Sequence, residues 1–137
     1  MESPARLEPV HLFLIGLSEG FARSLARYVS GDPRVALTGV APSLALAGML
    51  LPLTQSDLAL LDWSVLGESL RDAVQDLRIE RPGLRIACVA SETEPYRAAA
   101  AQGGADAVIS KERFAADLEA LLRAFFPERF GTSGDRN

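Results

Sequence analysis

The chain has 137 residues, 48% of them apolar and 23% charged, which is the make-up of one ordinary globular domain able to bury about two-thirds of its unfolded surface. Its net charge is −4, with acidic and basic residues interspersed and no arginine cluster, which argues against nucleic-acid binding through this segment. Cys88 is the single cysteine, so neither an internal disulfide nor a multi-cysteine metal site can form.

The first nine residues carry Glu2 and Glu8 and lack an apolar core, so no secretory signal is expected there. The longest apolar stretch, residues 44–53, is too short to cross a bilayer and contains Gly48 and Pro52. A cytoplasmic protein without a membrane partner is expected.

In chain order, the apolar pattern changes period again and again. Val10-His11-Leu12-Phe13-Leu14-Ile15 is a nearly continuous apolar run stopped by Gly16, as in a strand buried on both faces. Phe21, Leu25, Tyr28 and Val29 then recur at helical spacing, closed by Gly31-Asp32-Pro33. Residues 35–40 read as a second strand, and Ser43 as the cap of a helix from Leu44 to about Leu51. Residues 58–61 form a third strand, followed by a helix over about 68–79 that Arg81-Pro82-Gly83 ends. A fourth strand spans 84–89. Thr93-Glu94-Pro95 opens a helix that runs through residues 98–101 and ends at Gly103-Gly104. Residues 107–109 are a fifth strand. Phe114, Leu118, Leu121, Leu122 and Phe125 mark a last amphipathic helix that Pro127 stops.

Five apolar strands alternating with five helices imply an α/β fold: a doubly wound, five-stranded parallel sheet in a flavodoxin-like (βα)5 three-layer sandwich. Residues 1–8 are expected to be an N-terminal extension, 9–127 the domain and 128–137 a flexible tail. In such sheets chemistry gathers at the carboxyl ends of the strands. Of the residues there, only Asp62 and Lys111 are charged, and Lys111 is the sole lysine in the chain.

The segments Asp57-Leu58-Ala59-Leu60-Leu61-Asp62-Trp63-Ser64, Gly104-Ala105-Asp106 and Ser110-Lys111, with their spacing, resemble the receiver domain of bacterial two-component response regulators over residues 9–126. The resemblance implies that Asp62 stands at the position that accepts a phosphoryl group from a histidine kinase, and Lys111 at the position that pairs with its oxygens. It also implies two acidic residues after the first strand that help hold Mg²⁺, a hydroxyl after the fourth strand, and an aromatic residue in the fifth.

Those positions depart from the pattern. Gly16 and Leu17 replace the acidic pair, Val89 or Ala90 the hydroxyl, Val108 the aromatic residue, and Val65-Leu66 the usual Met-Pro. Glu19 and Ser91 are the possible substitutes, each needing a displaced loop or helix turn to reach the site. Mg²⁺ wants hard oxygen ligands, commonly one or two carboxylates, and only Asp62 is certain here. No metal or other cofactor is therefore expected, Mg²⁺ entering only if the chain is phosphorylated after all.

Simpler readings stand beside these. Asp62 could cap the turn after its strand, and Lys111 could be solvated or could form a salt bridge to Asp62. His11 and Cys88 read as packed side chains and Trp63 as half-exposed beside the site. The uncharged helix at 44–53 is either covered by its own domain or a contact surface.

The expectation is a non-enzymatic, pseudo-receiver signalling domain of phosphorelay pathways. It would act through a protein partner or a homodimer, for which the resemblance suggests the face of the fourth helix, fifth strand and fifth helix. One alternative is a conventional phosphorylated response regulator, such as the receiver part of a transcription factor. A second is a flavodoxin-like small-molecule-binding domain, weakened by the lack of a Gly-rich phosphate cradle after the first strand.

Overall fold

A computed structural model describes residues 8–65 and 69–130 of the chain. Five strands, β1 (Val10–Ile15), β2 (Val35–Ala41), β3 (Leu58–Asp62), β4 (Arg85–Ala90) and β5 (Ala107–Ser110), alternate with helices α1 (Glu19–Ser30), α2 (Leu44–Leu50), α3 (Leu70–Glu80), α4 (Glu94–Gln102) and α5 (Phe114–Phe125). All strand pairings are parallel, in the order β2-β1-β3-β4-β5. The expected doubly wound sandwich is what the chain forms.

The local causes are those visible in the residues. Ser18, Ser43 and Ser69 cap α1, α2 and α3, each hydroxyl accepting from the amide three residues on. The apolar strand residues divide by parity between two layers. Leu12, Leu14, Leu58, Leu60 and Val89 pack under α1 and α5 with Leu25, Leu118 and Leu122. Phe13, Ile15, Ala59, Leu61 and Cys88 pack under α2 and α3 with Ala47, Val74 and Leu77. β3, in the middle of the sheet, is buried at every position, which matches its uninterrupted apolar run. Gly39 makes room for a ring: a Cβ there would lie 2.5 Å from Phe13 Cε2, where the β1–β2 register slips by one residue.

Strands β2, β3 and β5 each extend one residue beyond expectation, so Asp62 is itself the last residue of β3. β4 opens at Arg85 instead of Leu84, and α2 ends at Leu50, where a 3₁₀ turn over Leu51–Leu53 takes up Pro52. The start expected for α3 near Glu68 lies outside the described residues.

At the expected boundary the chain continues in a helical turn. Pro127 starts a further helical turn, α6 (Pro127–Phe130), because proline suits the first helical position. Arg129 of that turn donates to Asp57 Oδ2 at 2.8 Å and to the Pro9 carbonyl at 3.4 Å, which ties the turn to the amino edge of the sheet. Residues 1–7 and 131–137 lie outside the described residues. Among the described residues no helix is long and apolar enough to cross a membrane.

Candidate functional site at the carboxyl edge of the sheet

The ends of β1, β3, β4 and β5 bring Gly16, Asp62, Ala90 and Lys111 to one edge. Asp62 is held there by three polar contacts among the described residues. Its Oδ1 accepts from the Ser64 amide at 2.9 Å and from the Ser64 hydroxyl at 2.7 Å. Its Oδ2 meets Lys111 Nζ at 3.0 Å. The Asp62 side chain is only 5% exposed, while that of Lys111 is 35% exposed. Lys111 is presented by its backbone, whose amide donates to the Ala90 carbonyl at 3.0 Å and so ties the end of β5 to β4.

These contacts set the ionisation of Asp62. Burial by itself would push its carboxyl up, but the Ser64 hydroxyl and amide, with Lys111 adding its bond and its charge, outweigh that cost. The group is held below its ordinary value and stays a carboxylate at neutral pH. Elsewhere, burial pushes the Cys88 thiol up to about 12, so it behaves as a small apolar core residue.

Gly16 adopts φ +72°, a left-handed conformation in which side chains are strained. The space beside it is filled as well. A Cβ on Gly16 would lie 2.7 Å from Val65 Cγ2 and closer still to Cγ1. Val65, from the short 3₁₀ turn Trp63–Val65, therefore seats its two methyl groups where a side chain at 16 would begin. Leu17 does not face Asp62 either; it packs against the layer under α1 and α5.

Neither possible substitute completes the site. Glu19 lies at the start of α1, 87% exposed, with its carboxylate on Arg23 at 3.0 Å. Ser91 is exposed in the loop after β4. Val89 and Ala90 are buried strand residues with no hydroxyl to offer. Val108 is partly buried against the layer under α2 and α3. Among the described residues no three His, Cys, Asp or Glu side chains gather where one ion could be held. Mg²⁺ takes carboxylate and carbonyl oxygens, and the two carboxylate oxygens of Asp62 already meet Ser64 and Lys111, with the Val65 methyl groups beside Gly16.

Two neighbours of Asp62 carry weight that sequence reasoning did not assign. Ser64 supplies two of its three contacts, and the Asp-x-Ser spacing of a side chain bonding two residues on was the available signal. Trp63, half-buried as expected, stacks on Tyr96 of α4 with ring centroids 4.6 Å apart and planes tilted by 47°. Nothing in the local sequence of either aromatic residue announces the other. His11 is a strand residue whose Nδ1 lies 2.9 Å from the Gln55 carbonyl.

The Gly104-Ala105-Asp106 segment is structural. Gly104 takes φ +95°, and its carbonyl accepts from Arg78 Nη1 at 2.9 Å. Asp106 accepts from Arg78 Nη2 at 2.6 Å, Arg85 Nη1 at 3.3 Å and the Ile86 amide at 2.8 Å, fastening β5 to β4 and α3.

No protein-family model matches the chain, and no curated protein matches it. Solved structures do. The receiver domain of the stress response regulator RcsB from Escherichia coli, in its non-phosphorylated form, superposes with a TM-score of 0.76 at 14% identity, over 88% of this chain and 95% of that one. The signal receiver domain of the response regulator NarL from Mycobacterium tuberculosis gives 0.73 at 23% identity, over 86% and 97%. A chain from the complex of the CheA3 P1 domain with CheY6 of R. sphaeroides gives 0.72 at 20% identity, over 88% and 98%. The chain thus has the fold of the receiver domains of response regulators.

Proposed function

We propose that this chain is a receiver-type signalling domain that works through protein contacts and has lost Mg²⁺-dependent phosphorylation at Asp62. The fold supports the first part, as does the complex of a similar chain with a protein partner. The observation that carries the second is Val65 seated against Gly16, which removes the space for a metal-binding side chain. With no ion, Lys111 alone would offset the repulsion between Asp62 and an incoming phosphate dianion. Both Asp62 oxygens are instead satisfied internally, Oδ1 by Ser64 and Oδ2 by Lys111. This pair holds the carboxyl edge in one conformation, with Trp63 and Tyr96 joining it to α4.

Trp63, the only tryptophan, adjoins Asp62 in the chain and reports on this edge by fluorescence. Titration with Mg²⁺ into the millimolar range is expected to leave its emission flat. A saturable change that Asp62→Asn abolishes would contradict the loss of the metal site. The retained Asp62–Lys111 pair is the observation that favours the second reading, a conventional phosphorylated regulator.

A further inference from the structure

The layer under α2 and α3 leaves an apolar surface open. Residues 44–53 contain no charged side chain, and their inward residues Ala47 and Leu51 are fully buried. Their outward residues are not covered by the domain: Met49 is 69% exposed and Leu53 80%. On α3, Ile79 is 73% exposed. Between the two helices runs a groove of about 310 Å³ lined by Leu44, Ala45, Gly48, Leu77 and Ile79.

Gly48 is the informative residue. It lies inside α2, where glycine is less favourable than alanine. Its φ is not in the left-handed range, and a Cβ built there meets nothing within 4 Å. The domain's own packing therefore does not call for glycine. A larger side chain at 48 would stand in the groove, so the absence of one keeps the groove open to close approach from outside.

The rim of the groove is acidic. Asp76 and Glu80 line it, one helical turn apart on α3. Among the described residues, no basic side chain pairs with either. Two unpaired carboxylates beside an apolar floor repel phosphate-bearing surfaces such as nucleic acid or anionic lipid, and attract lysine and arginine.

We propose that the α2–α3 groove seats an amphipathic helix of a partner protein. Its apolar stripe would lie on Leu44 and Ile79, and its basic flank on Asp76 and Glu80. This names a surface for the protein contacts proposed above. It rests on that reading for its biological sense only, since a peptide titration and the Mg²⁺ titration can fail separately.

The test uses the full chain and a fluorescein-labelled helical peptide of about fifteen residues, with leucine on one face and lysine on the other. Fluorescence anisotropy is expected to show saturable binding by the wild type. The same peptide with glutamate for lysine is expected to bind at least about tenfold more weakly. Gly48→Gln should weaken the lysine peptide by a similar factor while raising the melting temperature by about 2–4 °C, because a helix former replaces glycine in open space. Opposite signs on binding and stability separate a blocked groove from a damaged fold. Asp76→Lys with Glu80→Lys should shift preference to the glutamate peptide. Equal binding of the lysine peptide by wild type and Gly48→Gln would overturn the proposal. So would a chain that ignores the peptide and instead dimerises through this face, seen as a sedimenting dimer that Gly48→Gln dissolves.

Discussion

Three aspartates stand at the ends of the strands, two at the amino edge of the sheet and one at the carboxyl edge, and their surroundings are instructively alike. At the amino edge, Asp57 accepts from the His11 amide at 2.9 Å and from Arg129 at 2.8 Å. Asp106 accepts from the Ile86 amide, Arg78 and Arg85. At the carboxyl edge, Asp62 accepts from the Ser64 amide and hydroxyl and meets Lys111. Each carboxylate has a backbone amide and at least one cation. The two at the amino edge are fasteners by any reading. That Asp62 is bound in the same way shows that its place in the fold, at the edge where α/β sheets do chemistry, does not by itself make it a reactive group.

The three can be told apart by breaking them. Asp106→Ala is expected to have the largest effect, lowering stability by about 2–3 kcal/mol in urea unfolding, because three donors, two from β4 and one from α3, lose their acceptor together. Lys111→Met is expected to cost about 1–2 kcal/mol, less than a fully buried pair because Lys111 is a third exposed. If Asp62 acts as a fastener, Asp62→Asn combined with Lys111→Met should cost less than the two single changes added, since neither partner is then left alone.

A smaller effect separates the same residues by pH. The folded-state value of Asp62 lies below its unfolded one, so its contribution to stability is fully present above the unfolded value of about 3.9 and is lost as pH falls through the folded value. The urea midpoint of the wild type should therefore fall between about pH 5 and pH 3 more steeply than that of Asp62→Asn. Parallel slopes would mean that Asp62 gains nothing from Ser64 and Lys111.

The fold was legible because burial on both faces writes itself as uninterrupted apolar runs, and β3 with β1 is the clearest case. The end of the domain was not. Pro127 reads as a stop, but it also suits the first position of another turn, which Arg129 ties to the distant Asp57. At the site, Asp62 and Lys111 were visible as the two charges at the strand ends, and Gly16 and Leu17 as an absence. What fills that absence was invisible, because Val65 reaches Gly16 from the turn after the neighbouring strand β3, far away in sequence. Trp63 and Tyr96 were hidden for the same reason, lying far apart in sequence and adjacent only in space.

The central proposal, that the carboxyl edge is a fixed structural cluster and does not accept a phosphoryl group, is tested most directly by intact-mass measurement after incubation with acetyl phosphate and Mg²⁺. The expected spectrum shows unmodified protein for the wild type and for Asp62→Asn alike. A phosphoryl adduct on the wild type that is absent from Asp62→Asn would contradict it.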